Sequence, residues 1–158
     1  FDTVVLSNSV LADAADILLS RYGRRGTLAW EVYDEIMVGA ASHPPLAFLD
    51  QLLDREALCP AALSRRERRV YAGLLDHVGT GEASAIAVGH GRRGVVCTDD
   101  KAARRECSSL GGHFTGTVGI LRAACVDGVI STARADRILQ CMIDHGFYSP
   151  VRRVSDIM

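Results

Sequence analysis

Val95-Val96-Cys97-Thr98-Asp99-Asp100 reads as a short buried strand whose C-terminal end carries two carboxylates. Three apolar residues, two of them β-branched, suit a strand covered on both faces. Upstream, Gly81-Glu82-Ala83-Ser84-Ala85-Ile86-Ala87 reads as a helix that opens with a third acid, where the helix dipole favours negative charge. In α/β sheets, ligands collect at the carboxyl ends of the strands. These carboxylates are therefore candidates for one cation site.

Strand-like and helical runs alternate on either side of this stretch. Thr3 to Leu6 is expected as a strand and Ser7-Asn8-Ser9 as a helix cap, with Val10, Leu11, Ala14, Ala15, Leu18 and Leu19 at helical spacing until Gly23. Thr27 to Ala29 suits a second strand, and Trp30 to Val38 a helix carrying Glu31, Asp34 and Glu35. A break at Pro44-Pro45 precedes a helix over 46–53, and Cys59-Pro60 is expected to turn the chain. Ser64 opens a charged helix that passes Leu75 and closes at Gly79. Further helices are expected over 101–110, 117–125 and 131–145, with His113-Phe114-Thr115 as a short edge strand and Gly128 and Gly146 as helix stops. Residues 148–158 form either a docked extension or an arm. The alternation predicts a single α/β domain over 1–158, with a short, mostly parallel sheet covered by helices.

Composition narrows the function classes. At 158 residues, 48% hydrophobic and 23% charged, the chain has the make-up of one globular domain rather than of a disordered segment. No run approaches the roughly 18 apolar residues that span a bilayer, and no charged-then-apolar leader precedes Thr3, so a soluble cytoplasmic protein without a membrane role is expected. Cys59, Cys97, Cys107, Cys125 and Cys141 include no C-x-x-C pair and stand as buried thiols of a reducing compartment. Lys101 is the only lysine, whereas arginines recur as pairs at 24–25, 65–66, 68–69, 92–93, 104–105 and 152–153. Their planar forks suit phosphate, although each pair is equally explained as a solvated face. A net charge of -1 argues against strong nonspecific nucleic-acid binding but permits a local basic rim.

Each acid has an ordinary explanation when taken alone. Asp99 and Asp100 suit helix N-caps, Glu82 suits a first helical turn, and Glu35 suits a solvated helix face. Brought to one sheet edge they would repel unless a cation neutralised them, and hard oxygen donors suit Mg²⁺ or Mn²⁺. A metal so held supports phosphodiester hydrolysis, because it acidifies a bound water and neutralises charge building on phosphate. No nucleophile elbow, P-loop, G-x-G-x-x-G or H-E-x-x-H competes.

These residues resemble the PIN domains, small α/β metal-dependent nucleases that include the VapC-type toxins. The resemblance runs over nearly the whole chain. Val4 to Leu11 resembles the family's first strand and turn, Trp30 to Ile36 the segment ending in its helix-borne glutamate, and Thr98-Asp99-Asp100 its T-x-D strand end. The Gly81 to Ala87 stretch and Gly116-Thr117-Val118-Gly119-Ile120-Leu121 resemble a PIN-like branch described as nucleic-acid-binding.

The resemblance implies a three-layer α/β/α sandwich and makes Glu35, Glu82 and Asp100 the catalytic acids. It implies metal ligation by Glu35, Glu82, Asp99, Asp100 and the Asn8 amide oxygen, and substrate positioning by Ser7, Thr98 and Arg104. Mg²⁺ or Mn²⁺, single-stranded RNA, a protein antitoxin and a homodimer are the implied cofactor and partners. One departure stands out: Ser7 occupies the position where the family's first strand ends in aspartate. That departure motivates the alternative of a PIN fold with impaired catalysis, acting as a binding or regulatory module. A phosphoacceptor receiver domain is disfavoured, because it needs an acidic pair where Ser7 and Asn8 stand.

Overall fold

A computed structural model describes residues 1–56 and 58–158. Helices dominate, and the strands are three residues long. In chain order they are α1 (Thr3–Leu11), α2 (Ala15–Tyr22), β1 (Thr27–Ala29), α3 (Trp30–Ala40), α4 (Phe48–Asp54), β2 (Cys59–Ala61), α5 (Arg65–Leu74), α6 (Thr80–Gly91), β3 (Val95–Cys97), α7 (Lys101–Ser109), β4 (His113–Thr115), α8 (Thr117–Val126) and α9 (Thr132–Asp144). β1 pairs with β2 and β3 with β4, both in parallel, so the expected α/β fold with a short parallel sheet is present. The strands form two separate ribbons rather than one sheet.

Several expectations fail locally: Ser7-Asn8-Ser9 lies inside α1 rather than capping a helix, and the helix expected from Val10 to Gly23 breaks between α1 and α2, where Asp13 has a φ of 51°. Thr3 to Leu6 is the first part of α1 rather than a strand, because the Asp2 carboxylate accepts the Val5 N–H at 2.8 Å and caps the helix there. The helix then buries Val5, Leu6 and Ser9 on one side, a stripe that outweighs the strand preference of Thr3-Val4-Val5. Cys59-Pro60 does not turn the chain: it belongs to β2, with Leu28 opposite Pro60. Proline is tolerated there because β2 is an edge strand.

Three other helices, α5, α7 and α9, start where their caps predict. Ser64 and Glu67 form a reciprocal capping box at α5, and Asp100 and Ser131 cap α7 and α9. Gly128 and Gly146 follow α8 and α9 at φ +71° and +98°, a conformation that favours glycine. The core lies in three patches. One gathers Val5, Leu6, Leu28, Val32, Ile36 and Leu49, a second packs Val96, Ala103 and Cys107 against Ile86, and a third joins Ile17, Leu121, Leu139 and Met142. The tail is a docked extension: Val154 is fully buried, and Ser155 bonds the Asp136 carboxylate.

Candidate acidic site

Four helix N-termini meet near the C-terminal end of β3, and each brings or receives a carboxylate. Asp2 caps α1 and Asp100 caps α7, accepting the Ala103 N–H at 2.7 Å. Glu82 lies in the first turn of α6. Asp99 accepts the Thr117 N–H at 3.0 Å and the Thr117 hydroxyl at 2.5 Å, at the start of α8. The partial positive charge of helix N-termini explains why so many acids can approach one another in this fold. The same feature favours phosphate oxygens arriving at this edge.

Asp2 is the residue that the sequence reading missed. Its N–H donates to the Cys97 carbonyl at 2.9 Å, which fastens it beside the end of β3. The side chain is fully buried, and Oδ2 has no hydrogen-bond partner. Burial pushes its carboxyl above the usual aspartate range, against the Thr98 hydroxyl, the Val5 N–H and the Phe1 amine, while Asp99 adds repulsion. Asp2 thus stands beside the strand end where an acid was expected at Ser7. A helix signal was present in the sequence: an aspartate just before Val5, Leu6, Ser9 and Val10 is an N-cap followed by an apolar stripe.

Glu82 shares this surrounding. Its carboxyl is also raised, first by burial and then by the charges of Asp2, Glu35 and Asp100, with its own backbone N–H opposing. Glu82 sits so close over Gly79 that a Cβ there would lie 2.6 Å from Oε2. The first turn of α6 thereby holds the carboxylate back over its own helix start.

Glu35 is engaged differently. Projecting from α3, it accepts the Thr3 hydroxyl at 2.5 Å, the Gly81 N–H at 2.8 Å and the Thr80 hydroxyl. Burial opposes its charge, but these three donors together hold its carboxyl below the usual glutamate range. It ties α1, α3 and α6 together on the wall of the site. Glycine is required at 81, because a Cβ would meet Thr3 Oγ1 at 2.8 Å as well as the Glu35 carboxylate.

The remaining expected residues fall on either side of the cluster. Thr98 is fully buried and accepts the Asp100 N–H at 3.2 Å. Arg104 donates from Nε to the Thr98 carbonyl at 3.0 Å and from Nη2 to Asp99 at 3.1 Å, and lies over the Phe114 ring. It braces the β3–α7 corner, so its guanidinium is directed inward rather than toward incoming phosphate. Ser7 and Asn8 lie in the middle of α1, away from the strand end, and the Asn8 amide nitrogen has no partner.

Hard oxygen donors, and a buried carboxylate oxygen lacking any partner, fit a divalent cation at Asp2 and Glu82. Among the described residues, no three His, Cys, Asp or Glu side chains already close around one point. Asp99 and Glu35 are directed instead to backbone and hydroxyl donors. Arg65, Arg66, Arg68 and Arg69 are exposed on α5. All five cysteines are free; Cys97 and Cys107 are buried and the other three partly so. Among the described residues, no single helix is long and apolar enough to cross a membrane.

The family model DUF3368, described as a PIN domain, matches residues 1–158. No curated protein and no solved structure matches the chain.

Proposed function

The chain belongs to the PIN-domain family, whose general activity is of the nuclease type, and on that premise we propose that it is a divalent-metal-dependent endoribonuclease acting on single-stranded RNA. The observation that carries the proposal is the buried Asp2 carboxylate beside the end of β3, whose charge also acts on Glu82 in the first turn of α6. Both carboxyls are raised by burial, and one Asp2 oxygen is left without a partner.

Asp2, Glu82 and Asp100 are the residues proposed to hold Mg²⁺ or Mn²⁺. When bound, such a cation lowers the pKa of a coordinated water and neutralises charge building on phosphate. Glu35 keeps the start of α6 in place through Thr80 and Gly81, and so fixes Glu82. Asp99 locks α8 against the strand end through Thr117. With Asp2 beside the strand end, Ser7 no longer implies a missing acid. A toxin role, an antitoxin partner and a homodimer extend the same proposal, supported by the family alone.

The test is cleavage of a labelled single-stranded RNA with Mn²⁺ by the native chain and by Asp2→Asn, Glu82→Gln and Asp100→Asn. Cleavage by the native chain, abolished by the Asp2 and Glu82 substitutions, is expected. Full activity in both variants would overturn the metal-nuclease proposal. The engagement of Asp99 and Glu35 by protein donors favours a second function, a PIN fold that binds RNA without cutting it. Retained RNA binding with no cleavage at any Mn²⁺ concentration would identify that module.

A further inference from the structure

Beside the acidic cluster, α3 carries a second row of side chains. Glu31, Asp34, Glu35 and Val38 recur at i, i+3, i+4 and i+7 and so share one face of the helix. Together with Tyr71 of α5 and Thr80 at the start of α6, they line an open cavity of about 430 Å³, within the range of small-molecule sites. Glu35 joins this cavity to the acidic cluster, because its carboxylate accepts the Thr80 hydroxyl and the Gly81 N–H next to Glu82.

The lining restricts what can enter. Its carboxylates are acceptors only when ionised, so they favour N–H donors and repel phosphate. Glu31 Oε2 is buried without a hydrogen-bond partner, which is costly until a donor reaches it. Tyr71 supplies an aromatic wall, and Val38, 78% exposed, an apolar edge. The Tyr71 phenol is held above its usual range by burial and then by the charges of Glu31 and Glu35, so both carboxylates act on the ring that lines the same cavity. A planar, uncharged ligand with N–H groups along one edge satisfies these surfaces together. A divalent cation needs more ligands than meet here, since among the described residues no three His, Cys, Asp or Glu side chains close around one point.

Nucleobases are such ligands, and they differ in their donors. Guanine presents its ring N–H and its amino group side by side on the Watson–Crick edge, where one carboxylate can accept both. Adenine and cytosine offer an amino group beside an acceptor nitrogen, and uracil one N–H between two carbonyls. Single-stranded RNA leaves these edges free and stacks its bases on aromatic side chains. We propose that the cavity between α3 and α5 is a guanine subsite, in which Glu31 accepts both N–H groups and Tyr71 stacks on the base. The inference rests on the reading of RNA as the ligand and adds a preference for guanine next to the phosphate at the acidic cluster.

The test uses the full chain in chelator and a short labelled single-stranded RNA of adenine, uracil and cytosine carrying one guanine. The same strand with inosine, which lacks the amino group, or with adenine in that place serves for comparison, and affinity is read by fluorescence anisotropy. The guanine strand is expected to bind about tenfold more tightly than either, as a lost hydrogen bond to a charged acceptor predicts. Glu31→Gln puts an N–H donor where the second acceptor stood, and should abolish that preference while leaving the adenine-strand affinity and the thermal midpoint unchanged. Tyr71→Leu should weaken all three strands about tenfold, and Tyr71→Phe should restore them. Equal affinities in the native chain, an absence of binding, or a guanine preference that survives Glu31→Gln would overturn the subsite. Mapping cleavage of the same strands with Mn²⁺ keeps the two proposals apart. Guanine preference without cleavage supports the subsite and removes the nuclease, whereas cleavage indifferent to guanine does the reverse.

Discussion

Replacing Asp2 by asparagine separates a ligand from a cap, because the two roles predict opposite outcomes. Asparagine and aspartate cap helices about equally well, so the Val5 N–H keeps its acceptor and α1 loses little. What disappears is a buried negative charge with one unpartnered oxygen. Leaving such a group buried costs about 1–3 kcal/mol. Without metal, Asp2→Asn should therefore be at least as stable as the native chain, and by up to about 1 kcal/mol more stable, since Asp99 lies near and its repulsion is relieved. For a chain of this length that is about 2–4 °C in the thermal midpoint.

Metal should reverse the order. A cation at about one hundred times its dissociation constant adds about 2.7 kcal/mol to the native state. That corresponds to a rise of about 5–10 °C for the native chain, and to little or none for Asp2→Asn. Thermal unfolding with chelator and with excess Mn²⁺ measures all four states. Equal metal-induced shifts in both proteins would refute a ligand role for Asp2. A metal-free variant less stable by more than about 1 kcal/mol would refute the reading of Asp2 as a destabilising buried charge.

Three further outcomes follow from other contacts. Glu67 is buried, bonded to Arg92 at 2.8 Å and to the Ser64 N–H at 2.6 Å, and the Arg92 contact above all holds its carboxyl down at about 2. Because the folded value lies below the unfolded one, this stabilisation is present above about pH 4.5 and lost as pH falls toward 2; with Arg92 partly in solvent it is about 2 kcal/mol. Urea midpoints of Glu67→Gln should lack that acid-range decline, and an unchanged decline would count against the pair as its source. At Gly116 a Cβ would run into both Arg104 and the Asp99 carboxylate, so Gly116→Ala should cost about 1–3 kcal/mol by chemical denaturation and loosen the hold on Thr117. Charge reversal at the exposed Arg68 and Arg69 should leave RNA affinity in a filter-binding assay unchanged, whereas a clear loss would make α5 part of the RNA surface.

Much of the fold was legible because its signals are local. Ser64 with Glu67, Asp100 and Ser131 announced helix starts, and Gly128 and Gly146 announced stops, since capping involves groups within a turn of one another. β3, β4 and the acids at the β3 end were read from a few adjacent residues. Thr3 to Leu6 misled because a β-branched tetrapeptide carries a strand preference that a preceding cap and a buried helical face can override. Cys59-Pro60 misled because a proline pair of this kind turns most chains, and only its edge position beside β1 allows a strand.

The acidic site divides along the same line. The amino-acid sequence named Glu35, Glu82, Asp99 and Asp100 as the acids to watch, since their types and local positions are one-dimensional facts. Only the tertiary structure separated their tasks, directing Glu35 and Asp99 to hydroxyl and backbone donors while Asp2 and Glu82 remained raised by burial. It also fastened Asp2 beside the end of β3, through a hydrogen bond to a carbonyl 95 positions along the chain. Burial and hydrogen-bond partnership depend on what other segments bring to a side chain, and spacing along the chain does not encode that.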